Sequence, residues 1–178
     1  VQANFGAALA LALIAIVIDQ LDGHLAVRRP QRSPATQAFG AHLDCYADFV
    51  SKGIFPALML LGLGGFGALF WAVALLQVGA IAVRYSYEFV PHAPRRGLSP
   101  DFSIVIFGIL YLGAPLWGER YPAVLAAAMG ILAGLNLAPF EVPKLRGGGR
   151  VAFIAFALAL TGVLLLGGLL VLPPRSST

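Results

Sequence analysis

The sequence predicts an all-α fold: a polytopic membrane helix bundle of about six transmembrane helices, with its active site at the cytoplasmic ends of helices 1 and 2. Three observations predict this. Of the 178 residues 59% are hydrophobic and 11% charged, and the mean hydropathy of +0.85 is far above that of a soluble domain. Apolar stretches long enough to cross about 30 Å of hydrocarbon recur along the chain. Between them stand clusters of Pro and Gly, the residues that end helices.

The first apolar run, near 3–25, is closed by RRPQRSP (28–34). The second, near 38–63, stops at GLGG (62–65), and the third, near 66–90, stops at PHAPRRG (91–97). Runs near 101–118 and 121–138 follow, and KLRGGG (144–149) precedes the last, near 150–172. Frequent Gly and Ala suit helices that pack closely in a membrane. There is no internal repeat and no stretch left over for a soluble domain, so residues 1–178 read as a single membrane-embedded domain. The one cysteine, Cys45, excludes an internal disulfide. Val1 reads as an alternative start codon or as the first residue of a fragment, and no charged n-region with a cleavage site marks a signal peptide.

Charge sets the expected orientation, because Lys and Arg accumulate in cytoplasmic loops. Arg28, Arg29, Arg32, Arg95, Arg96, Lys144, Arg146 and Arg150 fall in alternate loops, whereas the opposite loops and the C-terminus hold Arg120 and Arg175. The net charge of +4 therefore reads as topology and contact with anionic membrane lipids. No nucleic-acid partner is expected, since no basic patch carries interleaved aromatics.

An ionised Asp inside the bilayer costs about 2.5–3.5 kcal/mol on insertion scales, so a chain keeps one only with compensation. Four stand close together here. Asp19 and Asp22 share a face at i, i+3 near the end of helix 1, and Asp44 and Asp48 share one at i, i+4 early in helix 2. The two helices are consecutive and antiparallel, so the pairs reach the same depth and can converge. Converging carboxylates repel unless cations bind among them, and oxygen ligands select hard ions such as Mg²⁺ or Mn²⁺. Gly23 and Gly40 would let a ligand approach the backbone, and Gly40, Asp44, Asp48 and Lys52 form one stripe. The plainer alternative is that these acids cap helices or pair with loop arginines.

DQLDGHLAVRR (19–29) followed by GAHLDCYAD (40–48) resembles the CDP-alcohol phosphatidyltransferase motif, DxxDGxxAR then GxxxDxxxD. Asp19, Asp22, Gly23, Ala26, Gly40, Asp44 and Asp48 match it residue by residue. Val27 stands where the motif has arginine, with Arg28 and Arg29 following, and the gap to Gly40 is about four residues longer than usual. The family also has a helix before the motif helix, for which this chain has no residues. FGAHLDCYADFVSKGIFPAL (39–58), AVRYS (82–86), RRGLSP (95–100) and LNLAPFEVPKL (135–145) are similar to segments of the phosphatidylserine synthase branch.

The resemblance implies transfer of a phosphatidyl group from CDP-diacylglycerol to the hydroxyl of L-serine, with release of CMP, in a prokaryotic plasma membrane. It implies two ions of Mg²⁺ or Mn²⁺ on Asp19, Asp22, Asp44 and Asp48, with Asp48 as general base. Nucleotide contacts would come from Asp22, Gly23, Ala26, Arg28, Gly40 and Asp44. Lys52, Arg84 and Asn136 are the acceptor-site candidates, and a homodimer is left open. A sibling enzyme acting on glycerol phosphate or inositol phosphate is the nearest alternative. A cation transporter or channel would place acids along a pore, and a non-catalytic homologue would keep the motif without turnover.

The remaining polar residues have two readings each. Lys52 either pairs with Asp48 or snorkels, or it attracts the acceptor's carboxylate. Arg84 either pairs with Glu88 or contacts substrate. His24 and His42 lack a second soft ligand at zinc spacing. Tyr46, Tyr85, Tyr87, Trp71 and Trp117 read as interfacial anchors or packing residues.

Overall fold

The computed structural model describes residues 2–27, 33–88, 90, 97–140 and 147–170, with the side chains of 2–4, 22–27, 88 and 168–170 outside the description. Among the described residues it is all-helical, without strands, as the sequence predicts. The elements are α1 (Gln2–Val27), α2 (Pro34–Asp48), a π-helical segment (Phe49–Ile54), α3 (Phe55–Gly64), α4 (Ala68–Glu88), α5 (Pro100–Leu112), α6 (Ala114–Trp117), a 3₁₀ turn (Gly118–Arg120), α7 (Tyr121–Leu137) and α8 (Gly148–Leu170). Among the described residues four continuous stretches are long and apolar enough to cross a membrane: Pro34–Gly64, Ala68–Tyr87, Ala114–Leu137 and Gly148–Gly167. The apolar parts of the other two rods, Phe5–Leu21 and Pro100–Leu112, are shorter.

Local chemistry explains the boundaries. α2 begins four residues before the expected start because Ser33 caps it: its hydroxyl accepts from the Thr36 amide at 3.2 Å, and Pro34 occupies the first helical position. α5 ends at Leu112 rather than near 118, since Gly113 and Pro115 interrupt it before a 3₁₀ turn. The π-helical segment sits upstream of Pro56. Proline has no N–H to return to the carbonyl of Lys52 four residues earlier, and the Phe55 amide donates instead to Val50 O, five residues back. Such single-turn widenings relieve the backbone around an interruption and recur at functional sites.

α1 packs along α8 and α5, α4 packs along α7 and α3, and the π-helical segment touches α1, α2, α3, α4 and α5. Leu9, Leu13 and Ile16 from α1, Phe107 from α5, Leu125 from α7 and Leu164 from α8 meet in the core. At one end Gly62 lies against the ring of Phe5, where a Cβ would come within 2.7 Å of it. α1 and the α2–α3 rod thus run antiparallel, with Phe5 beside Gly62 and Asp19 beside Lys52.

Candidate active site

α4 meets the π-helical segment along one stripe at four-residue spacing, Gln77, Ile81 and Tyr85. Gln77 is fully buried, and its Nε2 donates to the carbonyl of Lys52 at 3.2 Å, replacing the donor that Pro56 lacks. Ile81 packs over Gly53, where an added Cβ would stand 3.3 Å from its Cγ2. The Tyr85 hydroxyl donates to Asp48 Oδ2 at 2.8 Å. One helix face therefore fixes the backbone of Lys52 and the carboxylate of Asp48 together.

The Lys52 ammonium is the centre of the cluster. Its Nζ lies 2.6 Å from Asp48 Oδ1, 2.6 Å from Asp101 Oδ1 and 3.7 Å from Asp19 Oδ2, with the side chain 3% exposed. The contact with Asp101 is an ion pair rather than a directed hydrogen bond. A buried charge is tolerated only in such company. Asp101 is oriented in turn by Gln20 Nε2 and Ser99 Oγ, each donating to its Oδ2 at 3.3 Å. The paired reading of Lys52 is thus the one found, with Asp101 and Asp19 added to Asp48.

Asp44, one turn before Asp48, is exposed, and its carboxylate lies within hydrogen-bonding reach of Asp19. Gly40 is exposed with open space where a Cβ would stand, so its backbone can be approached. Asp22, Gly23 and Ala26 continue α1 beyond Asp19, but their side-chain surroundings lie outside the described residues, as does Arg28 altogether. The side chain of Glu88 is likewise outside them, and Arg84 Nη1 donates to the backbone carbonyl of Asn136 at 3.4 Å. Two of the acceptor-site candidates are thereby neighbours.

Asn136 is 1% exposed, and neither atom of its side-chain amide has a hydrogen-bond partner among the described residues. Beside it runs the GLSP segment. Gly97 N donates to Phe140 O at 2.7 Å and Leu98 N to Leu135 O at 2.9 Å. Gly97 has φ +75°, and a Cβ there would fall 2.2 Å from Asn136 O, so glycine is required for both conformation and space. This strap clamps the start of α5, and with it Asp101, to the end of α7.

Asp101 and Gln77 are members of the cluster that the sequence reading does not single out, and Tyr85 is a member that it reads only as an anchor or packing residue. Tyr85 is 6% exposed, so of its two readings packing is the one found, and its hydroxyl is hydrogen-bonded inward to Asp48. The available signal for Asp101 was an acid in the first turn of an apolar helix, directly after GLSP. Trp71 and Trp117 are exposed, as anchors are.

The described residues form an all-helical fold whose long apolar helices suit a membrane, with acids and a lysine gathered around a break in one of them. The family model for CDP-alcohol phosphatidyltransferase matches residues 1–172, and the chain belongs to that family. The family is one of phosphotransferase enzymes that use CDP-alcohol donors and alcohol acceptors, and its members are generally dependent on divalent metal. The transporter alternative is thereby set aside. The chain has no significant match among curated proteins.

The donor set fits a metal in one part and resists it in another. Asp19 and Asp44 bring two carboxylates within reach of each other, and like charges at that range repel unless a cation lies between them. Their oxygens suit a hard divalent ion. Asp48, however, has one oxygen on an ammonium and the other on a hydroxyl. Among the described residues no group of three His, Cys, Asp or Glu side chains forms a ligand set.

Proposed function

We propose that this chain transfers a phosphatidyl group from CDP-diacylglycerol to the hydroxyl of L-serine, releasing CMP, at the cytoplasmic face of a prokaryotic plasma membrane. The observation that carries the choice of acceptor is Asn136. A buried amide with both a free donor and a free acceptor, beside the guanidinium of Arg84, matches a zwitterion better than an anion. The amide oxygen can accept from an ammonium while Nδ2 and Arg84 donate to a carboxylate. The phosphate of a phosphorylated alcohol offers that oxygen no donor, so a match there would have to come from one of the alcohol's hydroxyls.

In this reading Asp19, Asp22 and Asp44 would hold a divalent ion, whose charge would offset that of the donor's pyrophosphate. Gly23, Ala26 and Gly40 give the nucleotide access to the backbone, and Arg28 offers charge to its phosphates. Asp48, oriented by Tyr85 and Lys52, receives the serine hydroxyl proton as the oxygen bonds to phosphorus and the bond to CMP breaks. Lys52 then acts on the acceptor through Asp48. An assay of membranes with CDP-diacylglycerol and a panel of labelled alcohols tests the assignment. Phosphatidylserine is the expected product, and labelling only from glycerol phosphate or inositol phosphate would refute serine while leaving the family intact.

A further inference from the structure

We infer that this chain keeps one divalent-ion position, at Asp19 and Asp44, and fills the neighbouring position, at Asp48, with its own Lys52 ammonium. The inference rests on the phosphatidyltransfer reading above, and it replaces the two ions that the sequence resemblance implies with one ion and an internal cation. An ammonium has three N–H donors, and here three carboxylates surround it, two at 2.6 Å and one at 3.7 Å. Those contacts surround the ammonium with negative charge.

Lys52 is also built in rather than merely attracted. Its backbone is held by Gln77, its neighbour Gly53 is pressed against Ile81, and its residue falls in the widened turn that Pro56 imposes. The side chain is 3% exposed, so it has no alternative place in water. Asp101 lies outside the Asp19–Asp48 motif and comes from α5, where Gln20 and Ser99 hold its other oxygen. Its negative charge gives the ammonium a partner that the motif acids need not share. A divalent ion sharing Asp48 would sit at contact range of a fixed positive charge in a site of low dielectric, and like charges there repel strongly. Asp19 and Asp44 lie within hydrogen-bonding reach of each other, and a hard ion held there would relieve the repulsion between their carboxylates.

The test counts ions. The chain in nanodiscs is dialysed against radiolabelled Mn²⁺ with saturating CDP, free Mn²⁺–CDP being subtracted, and the bound ion is examined by electron paramagnetic resonance. Wild type is expected to bind one Mn²⁺ with an uncoupled spectrum. Lys52→Met is expected to bind two, with the spin coupling of neighbouring ions. Should Lys52→Met fail to fold, Lys52→Met/Asp101→Asn carries the same expectation with one positive and one negative charge removed. Two ions in wild type, or one in wild type and in every folded variant, would overturn the inference. No bound Mn²⁺ in wild type would instead remove the metal-assisted reading on which it rests.

Discussion

Replacing Lys52 by methionine keeps the length of the side chain and deletes its charge, leaving Asp48 and Asp101 facing each other without the cation between them. Their side chains are 17% and 13% exposed, so water offers little relief. Removing one partner of a buried ion pair costs about 3–5 kcal/mol. For a chain of this size about 2–4 °C is lost per kcal/mol, so the melting temperature should fall by about 6–20 °C. Asp101→Asn is milder, about 1–3 kcal/mol, because Lys52 keeps Asp48 at 2.6 Å. The double variant removes both charges and should cost no more than Lys52→Met alone, which implies a coupling of about 1 kcal/mol or more. Unfolding of the four proteins in one detergent, followed by helical circular dichroism at low and high salt, gives the cycle. Additivity within about 0.5 kcal/mol would refute the coupling. A stability difference that vanished in salt would show the pair to be solvated, since buried pairs are screened little.

Three further outcomes are expected. Tyr85→Phe removes the donor at 2.8 Å from Asp48; a hydrogen bond to a charged group is worth about 1.5–3 kcal/mol, so kcat should fall by about 10-fold or more with donor KM little changed, and a wild-type kcat would exclude Asp48 as the base that Tyr85 orients. Asp44→Ala should lose turnover and Mn²⁺ dependence together, as a ligand of a hard-ion site would; activity near wild type would sink the Asp19–Asp44 metal position. Gly97→Ala forces a Cβ to 2.2 Å from Asn136 O at φ +75°; serine KM should rise more than donor KM, and an unchanged ratio would separate the strap from the acceptor site.

Much of the architecture is written in the sequence because a bilayer imposes length and polarity on each span. The Pro and Gly clusters mark where the rods end, and the Ser33–Pro34 cap and the Gly113–Pro115 break move boundaries by a few residues for reasons visible in hindsight. Asp19, Asp44 and Asp48 could be brought together on paper, since two helix periods and one short loop suffice. The pairing of Lys52 with Asp48 at i, i+4 was legible too, but the rest of the grip on Lys52 was not. Asp101 meets it across a separation in sequence that no period spans, and Gln77 reaches its carbonyl only because Pro56 leaves that carbonyl without a donor. Pro56 was the local sign of a widened turn, but the sequence does not say which distant side chain would answer it.

The brevity of α5 bears on how a soluble alcohol and a lipid can meet. Its 13 residues rise about 20 Å at about 1.5 Å per residue, well short of about 30 Å of hydrocarbon. Asp101 stands in its first turn, so the headgroup layer on that flank must sag toward the acid cluster, or polar matter must enter above it. Such a dimple would let water and a hydrophilic acceptor descend from one side while acyl chains lie along the other. Activity should accordingly decline in vesicles of longer-chain lipids, where the same indentation is harder to form; indifference to chain length would mean that the acceptor arrives by another route.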